Sequence, residues 1–218
     1  MSDDLRKRLR GLRVFDEDLP AFDAAAAPEE PATLFLAWLG EAIEAGVRGP
    51  HVMTLSTIDV YGRPDSRVLL LKDVVDGRWA FATARTSRKG RQLHETPSVA
   101  VNFFWAEQGR QVRVRGRVTD AGREAAERDF LERPEPSRAE SLPGRQSRPL
   151  RDPAELEAVS AEAAEKVAAE PELVPDHWAV YHLIPDEVEF WQGRADRRHV
   201  RLRYSLDAGR WNRTLLWP

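Results

Sequence analysis

The sequence predicts a mainly β fold with flanking helices, an α+β class in which a closed or nearly closed antiparallel barrel carries its helices outside. Three observations support that expectation. Short β-rich runs recur at Val52–Ile58, Arg67–Lys72, Trp79–Thr83, Val99–Trp105 and Gln111–Val118, and again at Trp178–Ile184, Val188–Trp191, Arg201–Leu206 and Trp211–Leu216. Turn signals separate the first set: Tyr61-Gly62-Arg63-Pro64, Asp76-Gly77 and Glu107-Gln108-Gly109. Helix-period segments are few, and neither an internal repeat nor a linker marks a second core.

The elements follow in order. Residues 1–30 read as an arm: Arg6-Lys7-Arg8-Leu9-Arg10-Gly11-Leu12-Arg13 is basic, and Ala24–Pro31 is rich in Ala, Pro and Glu. Without a strong apolar period the arm is a partly disordered tail or a lid over an anionic ligand; residues 31–218 form the domain. In Ala32–Gly46, Phe35, Trp38, Leu39, Ala42 and Ile43 recur with helical spacing, and Gly46 is a stop signal. A short helix is expected from Ser87 to His94, closed by Pro97, with further helices at Ala121–Leu131 and Pro153–Ala169. Between these two, Arg133–Asp152 reads as a long Pro/Ser/Arg-rich loop. Along Gln111–Val118, arginines alternate with valines and Gly116, as in a half-buried antiparallel strand.

Composition excludes several classes. The chain has 218 residues and no cysteine, so disulfides, thiolate nucleophiles and Cys-based metal sites are out. Its 33 Lys+Arg and 36 Asp+Glu give a net charge of −3, which argues against a general nucleic-acid binder. No apolar run approaches a bilayer span, and the N-terminus lacks the apolar core of a signal peptide, so a cytoplasmic protein with no membrane partner is expected. No metal site is expected. Lysine occurs only at positions 7, 72, 89 and 166; the other basic residues are arginines.

No Gly-rich phosphate loop, HExxH or GxSxG is present. Cations and hydroxyls gather at strand ends instead. Arg67 and Lys72 bracket an apolar run, and Thr83 precedes Thr86-Ser87-Arg88-Lys89-Gly90 at a helix start, where free N–H groups favour an anion. A second group is Glu189-Phe190-Trp191-Gln192-Gly193-Arg194 with Arg197, His199 and Arg201, the last three on one face if extended. A third is Arg133-Pro134 with Ser137, then Arg145-Gln146-Ser147. Taken singly, the first group also reads as a solvated charged face, the second equally as a basic edge strand, and the third as an ordinary loop.

Taken in order, Arg67-Val68-Leu69-Leu70-Leu71-Lys72, Ser87-Arg88-Lys89-Gly90, Arg110-Gln111-Val112, Arg133-Pro134 with Ser137, Gln146-Ser147, Glu189 through Arg194 and Arg197-x-His199-x-Arg201 resemble the motifs of the pyridoxamine 5′-phosphate oxidase family, which includes related phenazine-biosynthesis oxidases. The likeness spans residues 35–218. It implies an FMN-binding split β-barrel, homodimeric, with flavins in clefts at the subunit interface. By position it implies that Arg67, Val68, Leu69, Leu70, Lys72, Thr83, Ser87, Arg88, Lys89 and Gln111 hold FMN from one subunit, and Gln146, Ser147, Trp191 and Arg201 from the other. Lys72, Arg133 and Ser137 correspond to grips on the substrate phosphate, and Arg197 and His199 to the catalytic pair at the substrate's ring and reacting side. The implied reaction turns pyridoxamine or pyridoxine 5′-phosphate into pyridoxal 5′-phosphate by hydride transfer to FMN, with O2 as acceptor and H2O2 as product.

The departures fall on the substrate side. Asp129 stands where the family usually has a tyrosine, Leu9–Asp18 matches the family's arm poorly, and residues 138–145 lack its apolar-aromatic stretch. An oxidase of a phenazine-type or other secondary-metabolite precursor is therefore the alternative, and a non-catalytic flavin-binding protein is a further one.

Overall fold

The computed structural model describes residues 2–12, 14–15 and 18–218. In chain order the elements are α1 (Ser2–Arg10), α2 (Pro31–Glu44), β1 (Val52–Ile58), β2 (Pro64–Leu70), β3 (Asp73–Val75), β4 (Arg78–Ala84), α3 (Arg88–Glu95), β5 (Ser98–Trp105), β6 (Arg110–Asp120), α4 (Arg123–Leu131), α5 (Glu135–Ser141), α6 (Pro153–Ala169), β7 (Trp178–Gln192), β8 (Val200–Asp207) and β9 (Arg210–Leu216). The strands join in the order β2-β1-β5-β6-β7-β4-β3, with β8 on β7 and β9 on β8. The pairs β1–β2, β3–β4, β4–β7, β7–β8 and β8–β9 are antiparallel. The fold is α+β, as the sequence predicts. Among the described residues no helix is long and apolar enough to cross a membrane.

The chain divides into two compact units. A terminal unit comprises Met1–His51, Asn102–Val114 and Glu187–Pro218; a central unit comprises Val52–Val101 and Arg115–Asp186. In the terminal unit, α2 turns Phe35, Trp38 and Ala42 inward. Phe35 meets Phe103 with ring centroids 4.9 Å apart, and Trp38 meets Phe190 edge-on at 5.2 Å. In the central unit, β1 alternates buried Met53, Leu55 and Thr57 with more exposed neighbours, and Trp79, Phe81 and Leu183 are buried with them.

Four differences from the sequence reading have physical causes. The two runs at 178–184 and 188–191 are one strand, β7. It pairs with β4 through Leu183 and with β8 from Glu187. Pro185, which has no N–H to give, sits between those two pairings. Second, part of the expected loop at 133–152 is helix α5. Pro134 and Pro136 stand at its N-cap and first turn, where proline starts a helix rather than breaking one. Third, β2 runs from Pro64 to Leu70 rather than 67–72: proline is admitted as first residue of a strand, and the Lys72 N–H leaves β2 to bond Ala80 O at 2.8 Å. Fourth, the arm contains helix α1, whose basic residues Lys7, Arg8 and Arg10 lie in its last turn against the negative dipole end. Residues 1, 13, 16 and 17 of the expected arm lie outside the described residues.

Gly116 shows what close strand contact demands. A Cβ there would come within 2.0 Å of Ile184 O, so only glycine fits this position of β6.

Candidate functional site

The central unit encloses a cavity of about 970 Å³. Val68, Leu69, Leu70, Lys72, Thr83, Lys89, Arg133, Ser137 and Gln146 line it, so nine of the residues singled out in the sequence converge on one space. Helix α3 begins at one wall. Ser87 is its N-cap: its hydroxyl accepts from Gly90 N at 3.1 Å and donates to Ala84 O at 2.7 Å. Gly90 lets the helix press against the end of β4, because a Cβ would lie 2.4 Å from Ala84 O. The Ser87 side chain is thus engaged in the cap, and what α3 can offer a ligand there is its backbone N–H groups and the side chains of Arg88 and Lys89.

Lys89 is buried, and its Nζ donates to Gln146 Oε1 at 2.6 Å. Burial, with help from the neighbouring Arg67 charge, brings its ammonium down to about 8. Thr83, in the lining of the same cavity, is buried and its Oγ1 has no hydrogen-bond partner. A destabilised cation and an unmet hydroxyl lining one cavity are complementary to an anionic oxygen-rich group such as a phosphate ester. The family likeness assigned Gln146 to the other subunit; here it reaches Lys89 of its own chain. Ser147 is exposed with φ +71°, a left-handed conformation at the next position.

Arg67 is held by a network absent from the sequence reading. Its guanidinium donates to Thr57 Oγ1 at 2.6 Å and to Gln92 Oε1 at 3.1 Å, and meets Asp65 Oδ2 at 2.9 Å. Arg88 reaches the same carboxylate at 3.2 Å. Burial alone would raise the Asp65 carboxyl, yet Arg67 and Arg88 together hold it below its ordinary value. The available signal was Thr57, a polar residue in phase with the buried Met53 and Leu55.

Elsewhere in the lining, Lys72 and Arg133 already have partners. Lys72 Nζ lies 3.2 Å from Asp129 Oδ1, and Trp178 Nε1 donates to Asp129 Oδ2 at 2.9 Å. Arg133 lies over the Trp178 ring at 4.2 Å and donates to Ser137 O at 2.9 Å. Burial lowers the Arg133 guanidinium, partly offset by the charges of Asp129 and Glu140.

Gln111, Trp191, Arg197, His199 and Arg201 belong to the terminal unit. Trp191 and His199 have ring centroids 4.8 Å apart. The Arg194 N–H donates to His199 Nδ1 at 3.1 Å, which leaves Nε2 to carry the proton of the neutral ring. Arg197 is exposed, with φ +60° at the end of a turn closed by its N–H on Arg194 O. Arg201 is fixed by buried Glu189, at 3.1 Å from Nε, and by Trp217 O at 2.9 Å. Gln111 stands on the half-buried face of β6.

The chain is similar to known proteins in sequence and in fold. The family model described as pyridoxamine 5′-phosphate oxidase matches residues 39–168, and the pyridoxine 5′-phosphate oxidase C-terminal dimerisation region matches residues 178–218. A pyridoxine/pyridoxamine 5′-phosphate oxidase of Janthinobacterium sp. (strain Marseille) is 42% identical over 190 residues, 87% of this chain and 90% of that protein. The crystal structure of PhzG from Burkholderia lata 383, in complex with tetrahydrophenazine-1-carboxylic acid, is 34% identical with a TM-score of 0.87, covering 92% of this chain and 99% of that one. A pyridoxamine 5′-phosphate oxidase-related, FMN binding protein from Nostoc punctiforme PCC 73102, 17% identical with a TM-score of 0.71 over 88% of this chain and 100% of that one, shares the fold. The split β-barrel expected from the sequence is the fold of this chain.

Proposed function

We propose that this chain, which belongs to the pyridoxamine 5′-phosphate oxidase family, is an FMN-dependent oxidase that converts pyridoxamine or pyridoxine 5′-phosphate to pyridoxal 5′-phosphate, with O2 as acceptor and H2O2 as product. The chain is an oxidase by family, which sets aside the non-catalytic alternative. The observation that carries the substrate reading is that one cavity has two differently partnered cation sets, Lys89 with Thr83 and Lys72 with Arg133. A flavin mononucleotide and a phosphorylated pyridine bring one phosphate each.

The residues fit FMN. Thr83 has an unmet buried hydroxyl, and Lys89 rests on a neutral amide rather than a carboxylate. When bound, FMN supplies the hydride acceptor, reoxidised by O2. Lys89, Arg88, Arg67 and the α3 N-terminus bind the cofactor phosphate, and Val68–Leu70 and Gln111 hold its body. Gln146 and Ser147 join them from the same chain as Lys89, and Trp191 and Arg201 complete the cofactor's cradle from the other subunit of a homodimer formed through the C-terminal region. Lys72, Arg133 and Ser137 hold the substrate phosphate. Arg197 covers the pyridine ring, and His199, its Nδ1 already taken, donates from Nε2 to the reacting amine or oxygen. Orientation and charge placement are the protein's share of the work.

A second reading, oxidation of a phenazine-type carboxylate, is favoured by the Lys72–Asp129 pair and by the carboxylic acid bound to the Burkholderia relative. The test is the absorption spectrum of the purified protein followed by anaerobic addition of pyridoxamine 5′-phosphate. Bleaching of the flavin band is expected. A flavin that stays oxidised with this compound, yet is reduced by tetrahydrophenazine-1-carboxylate, would sink the first reading in favour of the second.

A further inference from the structure

The substrate end of the cavity has its own counter-charge. Asp129 is anchored at both oxygens, one on Lys72 at 3.2 Å and the other on the Trp178 indole N–H at 2.9 Å. Its side chain is 14% exposed against 36% for Lys72, so the carboxylate is the more deeply set member of the pair. The Trp178 ring that holds Asp129 also carries Arg133 on its face, so Lys72, Asp129, Trp178 and Arg133 form one connected cluster. Glu140 lines the same cavity and attracts Arg133. Lys72 and Arg133 are thus matched by two carboxylates, Asp129 and Glu140.

That balance has a consequence for what binds. A phosphate monoester is close to a dianion at neutral pH. To gain Lys72 it must displace Asp129, and it then sits beside a carboxylate that Trp178 keeps from swinging away. A monoanionic carboxylate needs only the planar guanidinium of Arg133, which can meet it with two parallel N–H donors. We infer that Asp129 is a specificity-determining residue, one that lowers the enzyme's discrimination in favour of a phosphate dianion over a monoanionic or uncharged group at the same position. The inference rests on the reading above that the anionic end of the substrate is received at Lys72 and Arg133.

The experiment compares kcat/KM for pyridoxamine 5′-phosphate and for pyridoxamine in the FMN-loaded wild type and in Asp129→Asn. Asparagine keeps an oxygen for the Trp178 N–H and removes the charge. The ratio of the two values is expected to rise about tenfold, chiefly through KM, which is about 1.4 kcal/mol of selectivity. FMN occupancy stays at the wild-type level. Asp129→Glu keeps the charge and the wild-type ratio. An unchanged or lowered ratio in Asp129→Asn overturns the inference, as does an equal rise in Asp129→Glu.

If the asparagine variant does not fold, the wild type alone decides. A phosphate preference below about tenfold supports the inference, and one above about a hundredfold, or about 2.7 kcal/mol, overturns it. If neither compound reduces the flavin in wild type, the substrate reading has failed. Equilibrium dialysis of pyridoxal 5′-phosphate against pyridine-4-carboxylate then tests Asp129 on its own. Asp129→Asn is expected to shift that binding ratio toward the phosphate by the same factor, and no shift overturns it.

Discussion

Lys72 and Lys89 line the same cavity and carry the same side chain, yet their surroundings are opposite. Lys89 is buried against a neutral amide, and the cavity it lines also has a threonine hydroxyl with no partner. Lys72 is a third exposed and held by a carboxylate. An ammonium without a counter-ion is costly to bury, and an incoming anion removes that cost. An ammonium already paired gains little, because the anion must first break what is there. Residue type alone does not define a phosphate grip; the partner it keeps in the free protein does.

The sharpest way to break the comparison is Lys89→Met, which keeps much of the length and removes the charge. FMN should bind at least about a hundredfold more weakly, the loss expected for a buried charge-assisted hydrogen bond. Fluorescence titration of the apoprotein with FMN measures it. A change of less than a few-fold would move the cofactor phosphate away from α3.

The next effect is on pH. Free Lys89 loses its proton near pH 8, well below the ordinary lysine value of 10.5. Below pH 8 the ammonium is ready for a phosphate; above it, binding must take up a proton. Wild-type affinity for FMN should therefore fall as pH rises through 8, approaching about tenfold per pH unit, and Lys89→Met should lose this slope. Stability without cofactor moves the other way. Between pH 8 and 10.5 the unfolded lysine holds the extra proton, so folding becomes more favourable as pH rises. Opposite slopes for binding and apoprotein stability would tie both to this one group.

Much of this was legible in the sequence because the signals were local. Strand β1, helix α6 and the α3 cap at Ser87 follow from period, proline and hydroxyl placement, and they fall where expected. The continuity of β7 was not legible, because Pro185 is harmless only where two partner strands hand over, a fact of pairing rather than of sequence. The ordered motifs brought Lys72, Lys89, Arg133 and Ser137 to one cavity. The motifs said nothing of their partners. Thr57, Gln92 and Asp65 steady Arg67 from as far as 25 residues away in the chain, and Trp178 orients Asp129 across 49. Such pairings depend on how strands and helices meet, and no local pattern encodes them.

Lys72→Arg sharpens the other side of the comparison. Arginine keeps the charge but grips a carboxylate with a planar fork, so Asp129 should hold it more firmly than it holds lysine. The expected result is a rise of about fivefold in KM for the phosphorylated substrate, with FMN affinity unchanged. Lys166→Arg, on the exposed surface of α6, should leave KM as it is.

Arg88→Ala carries the smallest expected effect, and for the same physical reason. Arg88 stands at the first residue of α3, where a phosphate would be met, but its side chain is 64% exposed and paired with Asp65. Water screens it, and a carboxylate already compensates it, so it resembles Lys72 more than its neighbour Lys89. Removing it should weaken FMN binding by only about two- to threefold, with the loss shrinking in higher salt. A loss as large as that of Lys89→Met would mean that cofactor binding strips Arg88 from Asp65 and draws it out of solvent. FMN binding left wholly unchanged would mean that Arg88 is a solvated surface charge and that the cofactor phosphate is met by Lys89 and the helix N-terminus without it.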